Sequence, residues 1–175
     1  MMLRYLRITS FAVLGIGLYA LATGGELFAA SKEAEVKKYH ELLKTAKDAK
    51  GKVLALDELG KLGQVSRDLT EKALPDMLKA FKDKDASVRA AAAEAVGKCD
   101  PDPADAVPAL VDLLKNDKDE KVKIAAAMGL GHMGEKAKDA TDPLKDVLKA
   151  NDKKSKLAKA AGDALRSIGG QKKKE

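Results

Sequence analysis

Tryptophan is absent from this 175-residue chain, cysteine occurs once, histidine twice, and aromatic residues make up 3% of the total. Each scarcity removes a class of chemistry. A lone cysteine excludes an internal disulfide. His40 and His132 stand far apart in the chain, and one imidazole cannot complete a site of three or four ligands. Beyond residue 30 only Tyr39 and Phe81 are aromatic. Both fall at core positions of helical patterns, which leaves nothing to stack on a nucleic-acid base. No glycine-rich phosphate loop, nucleophile elbow or Cys–His pairing occurs. The acidic groups around Asp83/Asp85, Asp117/Asp119 and Asp100/Asp102/Asp105 lack the glycine and distal bidentate glutamate of a calcium loop. Capping and turn formation account for them. The expectation is a chain that is not an enzyme and holds no metal or cofactor.

What the chain does have is internal repetition. Ala73-Leu74-Pro75-Asp76-Met77-Leu78-Lys79-Ala80-Phe81 returns as Ala106-Val107-Pro108-Ala109-Leu110-Val111-Asp112-Leu113-Leu114, and more loosely from Ala140 to Leu148. A second motif, Val88 to Gly97, matches Val122 to Gly131 and then Leu157 to Arg166, at spacings of 34 and 35 residues. Repeats of this length mean stacked units that share a core.

The first half of each unit is apolar at helical spacing: Leu74, Met77, Leu78 and Phe81, then Val107, Leu110, Val111 and Leu114. Pro75 and Pro108 are placed in the opening turn, where a missing N–H costs nothing. The second half carries Val88, Ala91, Ala92, Ala95, Val96 and Cys99, matched by Val122, Ala125, Ala126, Gly129, Leu130 and Met133. Alanine favours helix and permits close helix approach. The Asp/Lys turns between the halves supply caps. Each unit therefore reads as two antiparallel helices. A weaker unit precedes these, with Val36, Tyr39 and Leu43 on its first helix and Val53, Leu56, Leu59 and Leu62 on its second. Cys99 aligns with Met133 and Ile168, so it reads as a buried apolar cysteine. The alternative is a reactive thiol or an intermolecular bridge.

The pattern resembles the HEAT-repeat family, of the bacterial type grouped with phycobilisome-lyase-like repeats. Pro75, Asp83, Asp85, Val88, Arg89, Ala92, Ala95, Val96 and Gly97 carry the resemblance, with counterparts in the next unit. In the last unit Asp142 stands for proline, Lys154 for the turn aspartate and Ala158 for arginine. The resemblance implies an all-α fold: a short right-handed α-solenoid of about four HEAT-like helix pairs over residues 31–169. It is specific for fold and almost silent on partner. Gly131-His132-Met133-Gly134-Glu135 is faintly similar to one His-Glu pair of iron-binding HEAT hydroxylases, but no second pair faces it.

Residues 1–30 fall outside the repeat. Arg4 and Arg7 precede an uncharged apolar run from Ile8 to Ala22, with small-residue cleavage positions near Ala22 or Ala30. This predicts a signal peptide and an exported protein, periplasmic or extracellular. The fifteen-residue run falls short of the ~20 a spanning helix needs, the alternative being an uncleaved anchor. No spanning helix is expected after leader cleavage. Export argues against both a nucleic-acid partner and a role on phycobilin pigments.

Charge is uneven. Residues 149–175 carry nine basic and three acidic side chains, the leader carries +1, and the total of +6 leaves −1 for residues 31–148. Lys153, Lys154, Lys156 and Lys159, with Lys172, Lys173 and Lys174 in the basic tail (170–175), form a candidate site for an anionic lipid or polymer of the cell envelope. A solvated end cap is the alternative.

In HEAT arrays the second helices line the concave face. Removing core positions from these helices leaves Arg89, Ala93, Glu94 and Gly97 in one unit. The next leaves Lys123, Ile124, Ala127, Met128, Gly131 and His132, and the last leaves Lys159, Gly162, Asp163 and Arg166. Ile124, Met128 and His132 share one stripe at i, i+4, i+8. A small Ala/Gly floor flanked by charges is expected to seat another protein or peptide, with Arg89, Glu94, Ile124, Met128, His132, Asp163 and Arg166 as candidate contacts.

Overall fold

The structure, a computed structural model, describes residues 28–170. The apolar leader run and its Ala22 cleavage position lie outside the described residues, as do Lys172, Lys173 and Lys174. Residues 28–35 are helical, with Lys32 and Glu35 paired at 2.9 Å.

From Val36 onward the chain is a succession of helix pairs. Helix α1 covers residues 36–45 and α2 is Ala49–Val65, followed by the single turn α3, Arg67–Thr70. Helix α4 (Leu74–Lys79) is flanked by tight turns at Glu71–Ala73 and Ala80–Lys82, and α5 is Ala86–Lys98. Then come α6 (Pro103–Asn116), α7 (Glu120–Met133), α8 (Thr141–Ala150) and α9 (Lys156–Ile168). Among the described residues there is no strand, and no helix is long and apolar enough to cross a membrane.

The Asp/Lys turns work as the sequence suggests. Asp85 Oδ1 accepts the Ser87 N–H at 2.8 Å to cap α5, and Asp119 Oδ1 accepts the Lys121 N–H at 2.8 Å to cap α7. These bonds satisfy amides that a helix start leaves without partners. At the other end, α5 and α7 stop at equivalent places. Asp100 has φ 48° and Gly134 has φ 55°, left-handed backbone that an aspartate tolerates and a glycine adopts freely.

Apolar stripes account for the stacking. Helix α5 packs between α2 and α7, and α7 packs in turn on α9, so the second helices form one continuous layer. Helices α6 and α8 cover this layer through α7 and α9. The core runs through every unit: Leu56 and Leu59, Met77, Val88 and Val96, Leu110 and Leu114, Val122 and Leu130, and Leu144 are almost fully buried. At about 25 cal/mol per Å² of buried apolar surface, this shared core is what holds the pairs together. Lys145, which replaces the apolar residue of earlier units, is exposed on the last one.

Two features differ from the sequence reading. Pro108 is not in an opening turn. Asp102 caps α6 through the Ala104 N–H at 2.9 Å, and Pro103 begins the helix, which leaves Pro108 inside it. The ring is exposed there, and the carbonyl it leaves without a donor belongs to exposed Ala104. The second difference concerns Ala93, Gly97 and Ala127, expected as an open floor. All three are buried, because α5 and α7 meet backbone to backbone. A Cβ on Gly97 would sit 2.5 Å from Gly129 Cα, and one on Gly129 would land on the Ala93 carbonyl.

Candidate functional site

Small residues at the α5–α7 contact draw the helices together, so the open surface lies further along, between α7 and α9. There a groove of about 430 Å³ is lined by Ile124, Met128, Gly131 and His132 from α7 and by Lys156, Lys159, Ala160, Asp163, Ala164 and Ser167 from α9. Ile124, Met128 and His132 follow one another at one-turn intervals, which aligns them along the groove. Met128 is 40% exposed, one of four exposed large apolar side chains among the described residues, with Phe28, Leu54 and Val65. Ile124 is half-buried at its side.

Charged rows bound this apolar strip. On α5, Glu94 and Lys98 pair at 3.7 Å. On α9, Asp163 pairs with Arg166 on the next turn. His132 lies beside the α5 row. Partial burial in the groove, and then the Lys98 ammonium, push the imidazole below its ordinary pKa, while Glu94 pulls the other way. The lowered pKa favours the neutral imidazole, which offers one donor and one acceptor.

The sequence candidates are thus sorted by the fold. Ile124, Met128, His132 and Asp163 come together in the groove, joined by Lys156 and Lys159 from the candidate anion site. Glu94 stands half-buried on the neighbouring helix. Arg166 turns to a second hollow with Leu148, Lys153, Ala158 and Gly162, and Lys154 is exposed in the turn before α9. Ala160, Ala164 and Ser167 line the groove without having been singled out. Ala160 and Ser167 lie one turn either side of Asp163, and Ala164 one turn beyond Ala160, which was the available signal.

Arg89 is a correction. It is 7% exposed and fully engaged inside the array. Its Nε and Nη2 donate to Asp117 at 2.7 and 2.9 Å, while Nη1 donates to the Asp83 and Lys84 carbonyls at 2.9 and 3.3 Å. Four of the five guanidinium N–H donors are spent inside the array, and the buried side chain is closed to a ligand on the open face. The same step occurs one unit earlier, where Lys52 donates to Asp83 at 2.6 Å.

The two histidines do not converge. His40 Nε2 is 2.8 Å from Asp76 Oδ2, a bond between α1 and α4, whereas His132 lines the distant groove. Cys99 is 2% exposed, its Sγ 3.7 Å from the Leu59 carbonyl, and burial pushes the thiol pKa up. That is the environment of a structural cysteine, not a nucleophile.

Comparison with known proteins agrees with this architecture. The family model for HEAT repeats matches residues 36–131 and again 107–175. The chain belongs to the HEAT-repeat family. Among solved structures it is similar to two engineered proteins known from crystal structures. One is 24% identical with a TM-score of 0.61, over 76% of this chain and 62% of that one. The other is 23% identical with a TM-score of 0.57, over 82% of this chain and 38% of that one. The HEAT array thus spans less than two thirds of either structure, and the likeness is one of fold. No curated protein matches the sequence.

HEAT repeats commonly mediate protein–protein interaction, and the HEAT solenoid is typically a non-catalytic scaffold. The pair formed by α7 and α9 is where this array leaves Met128 exposed beside half-buried Ile124.

Proposed function

We propose that this HEAT-repeat protein is an exported, non-enzymatic scaffold that binds another protein through the face formed by its second helices. One observation carries the reading: a groove between α7 and α9 that leaves Met128 40% exposed beside Ile124, with polar groups on both margins. Buried apolar anchors with a polar rim are the usual composition of a protein-binding patch, and methionine adapts its shape to a partner. Export rests on the Arg4/Arg7 start and the apolar run to Ala22.

The test is affinity capture from native envelope extract with full-length protein and with a Met128→Lys, Ile124→Asp variant. The variant folds, because neither side chain is fully buried, and loses the co-purifying protein. Capture that is unchanged in a folded variant removes the proposal.

A second reading is favoured by the charge of the last unit. Lys153, Lys154, Lys156 and Lys159 are exposed and have no ion-pair partner among the described residues. With the Lys172–Lys174 tail they would hold an anionic lipid or polymer. Salt-sensitive binding to anionic vesicles, lost on neutralising Lys153 and Lys154 and deleting residues 171–175, is its test.

A further inference from the structure

The cation ladder along the array breaks beside the groove. In successive units a basic residue at the same repeat position reaches an aspartate of the following turn: Lys52 to Asp83 at 2.6 Å, then Arg89 to Asp117 at 2.7 Å. Lys123 is next in the series, but the acceptor end offers Asn151, whose amide Nδ2 donates to the Val147 carbonyl at 2.8 Å, and exposed Asp152, whose Oδ1 accepts the Lys154 N–H at 2.7 Å, and neither pairs with Lys123. Among the described residues Lys123 has no ion-pair partner. It immediately precedes Ile124, the first apolar residue of the groove.

The opposite wall repeats the imbalance. Lys156 and Lys159 line the groove without ion-pair partners among the described residues, and no acidic residue lies in the first turn of α9. Lys156 is the first residue of that helix, where the dipole disfavours a cation. The two carboxylates nearby are already engaged, Asp163 by Arg166 and Glu94 by Lys98. Uncompensated positive charge from Lys156 and Lys159 therefore gathers at one end of the groove, beside Ile124 and Met128.

Resting on the docking face described above, we propose that the occupant is an acidic amphipathic helical segment of a partner protein. Its carboxylates meet Lys156 and Lys159, and its apolar side chains, one turn apart, lie on Met128 and Ile124. Complementarity of charge chooses the acidic partner. The apolar strip chooses a peptide over a bare polyanion, which would use the lysines and leave Met128 in water. The chain's own Lys172–Lys174 tail carries the wrong sign to fill the site.

The experiment is fluorescence anisotropy of the full chain with three labelled synthetic helices. One has leucines at i and i+4 flanked by glutamates; the second has lysines in place of the glutamates; the third has glutamines in place of the leucines. The first binds, and its affinity falls steeply with salt. It weakens by roughly tenfold or more in Lys156→Glu, Lys159→Glu and, separately, in Met128→Lys, with circular dichroism confirming that each variant folds. Equal binding of the lysine or glutamine peptide overturns the proposal. So does binding to vesicles of equal parts phosphatidylglycerol and phosphatidylcholine without binding to the acidic peptide. If Met128→Lys, Ile124→Asp abolishes partner capture while no acidic peptide binds, the docking face stands and the acidic partner falls.

Discussion

Arg89 grips Asp117, 28 residues further along and in the next unit, through two parallel bonds of 2.7 and 2.9 Å, with both side chains under one-tenth exposed. The pair fastens consecutive repeats at their turns, and its third nitrogen braces the loop at Asp83 and Lys84. Nearest-neighbour contacts of this kind set the stability of a repeat array.

Removing one partner of that pair is costly. Arg89→Ala leaves the Asp117 carboxylate without its cation and is expected to destabilise by about 3–5 kcal/mol in urea unfolding. Arg89→Lys, which keeps charge but not the fork, should lie between the two. A loss below about 1 kcal/mol in Arg89→Ala would show that solvent replaces the pair.

The broken rung can be rebuilt. In a double-mutant cycle of Lys123→Ala with Asn151→Asp, the coupling between Lys123 and the new aspartate should be favourable by about 0.5–1 kcal/mol. The cycle is needed because Asn151→Asp alone also discards the bond to the Val147 carbonyl. Zero coupling would mean that residue 151 does not reach Lys123.

Acid should weaken the fold in two stages. Asp117 and Asp83 are held below their ordinary value of 3.8, first by hydrogen bonds from Arg89 and Lys52 respectively. The folded state thus takes up fewer protons than the unfolded one around and below pH 3.8, so stability present above that range is lost as pH falls. His132, held below 6.5, acts in the same direction at higher pH: protonation of the unfolded chain erodes stability as pH drops through 6.5. His132→Gln should flatten only the upper stage of a stability–pH profile, and Asp117→Asn only the lower. A profile with an unchanged upper stage in His132→Gln would contradict the groove environment assigned to the imidazole.

Two glycines on neighbouring helices should respond oppositely to alanine. Gly129→Ala drives a methyl into the Ala93 carbonyl and toward Leu110 Cδ2 at 3.3 Å, and should cost about 1–3 kcal/mol or more. Gly162→Ala meets only Leu148 Cδ1 at 3.6 Å, an ordinary contact, and should gain about 0.5–1 kcal/mol from helix propensity. Thermal unfolding of both variants decides this, and equal effects would refute the close α5–α7 approach.

Much of the array was legible in one dimension. Leu110 and Leu114, or Val122 and Leu130, repeat with helical spacing, and burial follows that spacing directly. Asp85 and Asp119 could be read as caps because a cap bonds to its own helix two residues on. The groove was half legible: Ile124, Met128 and His132 form a stripe within one helix, and α9 contributed Asp163. Lys156 and Lys159 were assigned to a separate basic end because their place opposite Met128 depends on how α9 seats against α7.

The sequence alone determined the unit, its two helices and their apolar sides, since these depend on backbone hydrogen bonds and periodicity within a few turns. Only the tertiary structure decided which polar and small residues remain available. Arg89 vanished into a bond with the next repeat, and Ala93, Gly97 and Ala127 became a seam, because the distance between stacked helices is set by packing that no single helix encodes.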